Sequence, residues 1–350
     1  MKFSKISVIG LGYIGLPTAA IFASNGLDVL GVDVNVDVIE TLNSGKIHIV
    51  EPGLEAVVRQ AVGNGKLQVK LLPERSQAFL IAVPTPLGQG NFEPNLDYIE
   101  SAAKSIARVL EPGNLVILES TVPVGTTEKL SKWLSVARPD LTFPQTHGED
   151  SDIRIAHCPE RVLPGRVMRE LVLNDRVIGG MSRACAQLAR DLYNVFVKGE
   201  CVITSSPRNA ELAKLAENSF RDVNIAFANE LSLICDELEI DVWEVMSIAN
   251  RHPRVGILQP GAGVGGHCIA VDPWFIVASS PNTSNLIRTA REVNDNKPKW
   301  VLQKFFKAVR ACLKDKGVNE AGEVSVAIYG LSFKPDIDDL RESPALKICM

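Results

Sequence analysis

Three groups of residues in this chain have types and spacings that could do chemistry. The first is Cys268, which ends the run Gly265-Gly266-His267-Cys268 just ahead of Asp272-Pro273, a pair that opens a helix. A helix N-terminus lowers a thiol pKa and favours the thiolate, so Cys268 is a candidate nucleophile. The second is Lys214 with Asn218, four residues apart and so on one helix face, with Arg221 one turn further. Lysine at such a position is either part of a solvated face or, if buried, a general acid/base group. The third is Gly10-Leu11-Gly12-Tyr13-Ile14-Gly15, a G-x-G-x-x-G run that follows a β-branched apolar stretch.

That glycine run has the context a dinucleotide needs. Gly10 permits the tight turn, Gly12 lets a pyrophosphate approach the backbone, and Gly15 lets helix and strand pack closely. The helix that follows, over 16–25, presents unpaired N–H groups to the phosphates. A second apolar run at 29–32 ends at Asp33, whose carboxylate would accept from ribose hydroxyls and repel a 2′-phosphate. Val34-Asn35 supplies no arginine, so NAD is favoured over NADP. A second match, Gly261-Ala262-Gly263-Val264-Gly265-Gly266, follows Gln259-Pro260 instead of a strand and has no acid between Pro273 and Arg291, where a ribose ligand should fall. It reads as a flexible loop that approaches a ligand by its backbone.

The elements that would position these groups follow from periodicity. Short continuous apolar runs at 6–9, 29–32, 78–83, 115–118, 153–156 and 177–178 alternate with helical stretches. Strands covered on both faces look like this, so residues 1–205 are expected to form an α/β, Rossmann-like domain with a mainly parallel sheet. Ser206-Pro207 then opens a long helix, on which Leu212, Leu215, Val223, Phe227, Leu231, Ile234 and Leu238 recur at helical spacing. Asp241 with Glu244 marks another helix start, and 285–314 a further helix, giving a central helical domain at 206–316. After a polar linker at 317–323, the run 324–329 reads as the first strand of a second Rossmann-like domain, 317–350, that is cut short.

Composition narrows the class. With 46% hydrophobic and 22% charged residues among 350, the chain is globular and not disordered. A net charge of −4 without a basic cluster argues against nucleic acid and acidic membranes. Residues 6–23 after a basic start resemble a signal peptide, but Gly10, Gly12, Gly15 and Pro17 interrupt the run. Seven cysteines with no CxxC argue against a disulfide framework or zinc, and for a reducing cytoplasm; the six besides Cys268 read as small buried hydrophobes.

The motifs converge on a family. Gly10 to Gly15, Val83-Pro84-Thr85-Pro86, the run from Ser120-Thr121 to Thr126-Thr127, Cys158-Pro159-Glu160-Arg161, Glu211 to Asn218, Gly265 to Cys268 and Phe333-Lys334-Pro335 resemble, in order, the UDP-sugar 6-dehydrogenases. Within it, Cys268-Ile269-Ala270-Val271-Asp272-Pro273-Trp274-Phe275, Asn250 to Arg254 and the 217–231 helix are most similar to the enzymes acting on UDP-N-acetyl-D-mannosamine. The UDP-N-acetylglucosamine enzymes come next, and the UDP-glucose enzymes are a third alternative.

The resemblance implies four-electron oxidation of a sugar C6 alcohol to a carboxylate with two NAD, through a thiohemiacetal and a thioester on Cys268. It implies a cytoplasmic homodimer serving bacterial surface-polysaccharide synthesis of the enterobacterial common antigen type, with a UDP-binding domain continuing past residue 350. By the same resemblance Lys214 is the acid/base and stabilises oxyanions, Asn218 donates a hydrogen bond to the same oxygen, and Asp272 orients water or Lys214. Thr121 and Glu160 lie near the hydrolytic water. Tyr13, Ile14, Thr85 and Thr127 line the NAD site, with the Thr127 hydroxyl reaching a phosphate, and Lys334 and Arg341 reach back toward it. Arg161, Val162, Arg221, His252, Arg254 and Gly265 are candidates for the sugar and diphosphate. Two other readings compete: a two-electron 3-hydroxyacid dehydrogenase, which leaves the Gly-Gly-His-Cys loop unexplained, and an inactive NAD-binding fragment.

Overall fold

The computed structural model describes residues 3–88, 92–315, 325–333 and 340–350. The chain divides into two compact units, Met1–Leu215 and Ala216–Met350. The first is built on one eight-stranded sheet of β1 (Lys5–Ile9), β2 (Asp28–Val32), β3 (Leu67–Lys70), β4 (Ala78–Ile81), β5 (Leu115–Leu118), β6 (Arg154–His157), β7 (Arg176–Gly180) and β8 (Cys201–Thr204). Their order is β3-β2-β1-β4-β5-β6-β7-β8. All pairings are parallel except β6 with β7. Helices α1 (Gly15–Ser24), α2 (Val36–Asn43), α3 (Leu54–Gly63), α4 (Asp97–Ala107), α5 (Thr126–Ala137), α6 (Pro144–His147), α7 (Val167–Leu173) and α8 (Arg183–Tyr193) connect them.

The central strands are continuously apolar because both their faces are buried. Side chains alternate across a strand. On β1, Ile6 and Val8 enter one hydrophobic cluster and Ile9 the other; on β4, Ala78 and Leu80 part from Phe79 and Ile81 in the same way. The expected α/β class holds. Two strands lie outside the expected set. Leu67–Lys70 alternates buried and exposed residues, and Cys201–Thr204 is a largely exposed edge, so neither reads as a continuous apolar run. The strand order reverses between β1 and β4, where ligands of open α/β sheets bind, beyond the carboxyl ends of the strands.

The second unit is helical. The division falls inside α9 (Pro207–Glu237), and the chain continues through α10 (Val242–Ala249), α11 (Asp272–Ser279), α12 (Asn285–Asp315) and α13 (Pro344–Cys349). The Asp241 side chain caps α10 by accepting from Trp243 N–H at 2.9 Å. The apolar stripe expected on α9 is buried at Leu215 but does not form the buried face beyond it. Phe227, Ile234 and Leu238 are exposed, whereas Asp222, Ala226, Ala228 and Asn229 are buried. Asp222 pairs with Arg291 of α12 at 2.6 Å, and Asn229 donates to Asn294 at 2.8 Å. Polar groups therefore fill this contact, in which Asp222 Oδ2 and Arg291 Nε have no hydrogen-bond partner among the described residues.

The run expected as a strand at 324–329 is corrected over the part described. Residues 325–330 have no ladder partner among the described residues and are exposed, and a strand exists only by pairing. The 317–323 linker and Val324 lie outside the described residues. Further on, the Ser343 hydroxyl donates to Leu331 O at 2.6 Å.

Candidate active site

The first unit carries a nucleotide cradle. Gly10 has φ +90°, and a Cβ there would sit 2.6 Å from Ala82 O. A Cβ on Gly15 would fall on Gly10 O, yet one on Gly12 would meet nothing within 4 Å. Gly12 is therefore the position where the turn lies open to a ligand. No side chain caps α1 and its first turn holds no acid, so the helix end is left to an anion. Asp33 closes the other side. Its Oδ2 accepts from Leu11 N–H at 2.9 Å and its Oδ1 from Asn35 N–H at 3.0 Å. Each oxygen keeps a lone pair for ribose hydroxyls. The pieces of a dinucleotide site are thus present: glycine turn, uncapped helix end and acid.

His48 was not found by sequence reasoning, since nothing local marks it. Burial lowers its pKa, while the Asp33 charge and a hydrogen bond with the Leu11 backbone oppose that shift. It therefore stands at the adenosine end of the cradle. Tyr13 and Ile14 are half-buried beside the turn. The Thr85 hydroxyl donates to Thr121 O at 2.7 Å, tying together the loops that follow β4 and β5. Thr127 behaves differently from the expectation that its hydroxyl reaches phosphate. It is fully buried, and its hydroxyl donates to Glu211 Oε1 at 2.6 Å. The same carboxylate accepts from Thr127 N–H at 2.8 Å and Gly125 N–H at 2.6 Å, so Glu211 caps α5 from α9.

At the carboxyl edge of β6, Glu160 is buried, and burial pushes its pKa up to about 7 against the attraction of the Lys214 and Arg176 charges. A carboxylate near neutrality suits proton transfer. Lys214 is itself buried, which removes the reading of a solvated face. The Arg161–Val162 loop is half-buried and held from below. Glu51, another residue without a local signal, accepts from Gly165 N–H and Val167 N–H, both at 2.8 Å. Arg161 donates to Asp175 O at 3.3 Å.

In the second unit, Asn218 of α9 donates through Nδ2 to Asp272 Oδ2 at 2.6 Å. Asp272 is buried at the start of α11, and its N–H donates to Cys268 O at 2.8 Å. Cys268 is exposed, ahead of that helix end. Of the other six cysteines, Cys158, Cys185 and Cys235 are buried as expected, Cys201 and Cys349 are half-buried, and Cys312 is exposed. Burial raises the Cys158 thiol to about 12, so it is inert. Arg221, His252 and Arg254 are exposed.

The glycine loop ahead of Cys268 approaches its own chain, which revises its reading as a flexible loop open to a ligand. A Cβ on Gly265 would lie 2.5 Å from Phe333 Cβ, and one on Gly266, at φ +86°, 2.8 Å from the Phe333 ring. Gly266 N–H donates to Arg341 O at 3.0 Å. Three asparagines strap the stretch before it. Asn224 accepts from Leu258 N–H and donates to Gly256 O, Asn250 brackets Ile257, and Asn229 accepts from Gly261 N–H. Lys334 lies outside the described residues.

Comparison with known proteins places the chain in a family. Residues 4–197 match the NAD binding domain of the UDP-glucose/GDP-mannose dehydrogenase family, and 208–296 its central domain. The UDP-N-acetyl-D-mannosamine dehydrogenase of Campylobacter jejuni is 63% identical over 347 residues, covering 99% of this chain and 83% of that one. The NDP-N-acetyl-D-galactosaminuronic acid dehydrogenase of Ralstonia nicotianae is 60% identical, covering 99% and 80%. Among solved structures, a UDP-D-ManNAc dehydrogenase from Pyrococcus horikoshii superposes with a TM-score of 0.89 at 43% identity, covering 98% of this chain and 79% of that one. This chain belongs to the UDP-glucose/GDP-mannose dehydrogenase family, and strands β1 to β7 of its sheet fall within the match to that family's NAD-binding domain.

Proposed function

We propose that this chain oxidises the C6 alcohol of UDP-N-acetyl-D-mannosamine to the carboxylate in two steps, with Cys268 holding the sugar between them. The observation that carries the reading is the exposed Cys268, four residues ahead of α11 and joined through its carbonyl to the N–H of Asp272, the partner of Asn218. The substrate rests on the relatives and solved structures named for that sugar nucleotide. NAD, when bound at the Gly10–Gly15 cradle, supplies the hydride acceptor for each step.

The protein's share is proton movement and covalent capture. In this step the amine form of Lys214 takes the alcohol proton as the aldehyde forms, which leaves it the cation for the step that follows. The Cys268 thiolate attacks that aldehyde, and the resulting oxyanion is stabilised by Lys214 and Asn218. The thiohemiacetal is tetrahedral and carries the hydrogen that leaves as the second hydride, giving a thioester. Glu160, with its pKa near neutrality, takes a proton from water as the thioester is hydrolysed, which releases the carboxylate and the Cys268 thiol. Thr121 orients that water. Arg161, Val162, Arg221, His252, Arg254 and Gly265 hold the sugar and diphosphate.

A second reading, a different N-acetylated sugar, is favoured by the 60% identity to the N-acetyl-galactosaminuronic acid enzyme. The exposed Phe220, Phe227 and Ile234 of α9 and Trp243 of α10 suit a homodimer. Among the described residues no helix is long and apolar enough to cross a membrane. We place the enzyme in the cytoplasm, supplying a uronate for surface polysaccharide of the enterobacterial common antigen type. The test is a panel of UDP-sugars with NADH counted per sugar. Two NADH and the highest kcat/KM on UDP-N-acetyl-D-mannosamine are expected; one NADH, or preference for UDP-glucose, overturns the reading.

A further inference from the structure

The reversal of direction at β7 brings a buried cation to the reactive edge of the sheet. β6 and β7 are antiparallel, with Ala156 opposite Gly180 and His157 opposite Gly179. Glu160 lies three residues beyond His157, and the charge of Arg176, the first residue of β7, acts on it. In a fully parallel sheet the first residue of β7 would lie at the other edge, away from the loops that follow β4, β5 and β6.

Arg176 is 3% exposed and cannot shed its charge. Its surroundings hold it without saturating it. Glu119, the residue after β5, is 3.8 Å from Nη1. The Tyr193 hydroxyl, from α8, donates to Glu119 Oε1 at 2.6 Å, and the guanidinium lies 4.9 Å above the Tyr193 ring. Yet both terminal nitrogens of Arg176, Glu119 Oε2 and Glu160 Oε1 are buried with no hydrogen-bond partner among the described residues. A purely structural ion pair would bond these atoms, because an unsatisfied buried polar group is costly. The charges acting on Glu160 are Lys214 from α9, Arg176 from β7 and Glu119 from the end of β5, and a backbone hydrogen bond with Val162 also favours its charged form. Lys214 and Arg176 thus favour the charged form of Glu160, and Glu119 disfavours it.

We propose that Arg176 is a positioning residue for Glu160: with Glu119 as its partner, it supplies the buried counter-charge that lets this carboxylate ionise and accept a proton from water. The step is the hydrolytic one of the proposed function, on which this inference rests. Arg176 touches no reacting atom. Its effect is electrostatic, and it opposes the effect of Glu119.

The opposition supplies the test. The carboxyl infrared band of Glu160, assigned by its loss in Glu160→Gln, is titrated in wild type, Arg176→Met, Arg176→Lys and Glu119→Gln without substrate. Arg176→Met should move the midpoint alkaline by about 1–3 pH units, as loss of an adjacent opposite charge does. Glu119→Gln should move it toward acid, and Arg176→Lys should stay near wild type. The pH limb of kcat should follow the same order. A common midpoint in wild type and Glu119→Gln overturns the proposal, and Glu119→Gln decides it even if Arg176→Met does not fold. If the titrations shift as expected but no UDP-sugar is oxidised, the functional reading fails and the role of Arg176 toward Glu160 stands.

Discussion

Asn218 and Asp272, 54 residues apart, are joined by a 2.6 Å hydrogen bond from the amide of one to the carboxylate of the other. The bond ties α9 to the first turn of α11, and the Asp272 backbone ties that turn to Cys268. Asn218→Asp would set two carboxylates face to face, a worse outcome than Asn218→Ala, which only deletes the donor. We expect kcat to fall by about 10²-fold or more in Asn218→Asp, with a smaller loss in Asn218→Ala. Steady-state rates of the two variants check the order; equal losses would mean that the pair is not electrostatic.

Asp33 has two jobs in the cradle, and one substitution separates them. Its Oδ2 holds Leu11 N–H, so Asp33→Ala should weaken NAD binding as well as admit a 2′-phosphate. The ratio of kcat/KM for NAD over NADP should drop by about tenfold or more, the equivalent of some 1.4 kcal/mol. An unchanged ratio would remove Asp33 from cofactor choice.

The glycines of the first turn should fail in different ways. A Cβ at Gly15 collides with Gly10 O, so Gly15→Ala should cost folding stability. A Cβ at Gly12 meets nothing in the protein, so Gly12→Ala should keep its unfolding free energy within about 0.5 kcal/mol of wild type. It should nonetheless lose NAD affinity, because the added methyl stands where the pyrophosphate must approach. Thermal melts and NAD calorimetry on the two variants distinguish the outcomes.

These contrasts bear on what a chain discloses before it is folded. β1, β4 and β5 were legible because both faces of each strand are buried, which leaves an unbroken apolar run. Leu67–Lys70 and Cys201–Thr204 were not, since an edge or half-covered strand carries no such run. The Cys268 loop and the Lys214 and Asn218 pair announced themselves by local spacing. Glu51, Glu211 and Arg176 did not, because each acts on backbone or charge brought close only by the fold: Glu51 on Val167, 116 residues on, and Glu211 on Thr127, 84 residues back. The Thr127 hydroxyl looked available for phosphate for the same reason; its acceptor belongs to another helix.

The last prediction follows from the cost of keeping Glu160 buried. Burial, offset in part by Lys214 and Arg176, holds its folded pKa at about 7, above the ordinary glutamate value of 4.5. The folded state therefore binds this proton more tightly than the unfolded chain does. The associated stability is fully present below about pH 4.5 and is lost as pH rises through about 7. Glu160→Gln carries no titrating proton at this position and escapes the loss. The unfolding free energy of Glu160→Gln should gain on wild type by roughly 3 kcal/mol between pH 4 and pH 8, while its turnover collapses at every pH. Denaturant melts of both proteins across that range check the sign. A difference that stays flat with pH would mean that Glu160 titrates like an exposed carboxylate, and would remove it as the proton acceptor for hydrolysis.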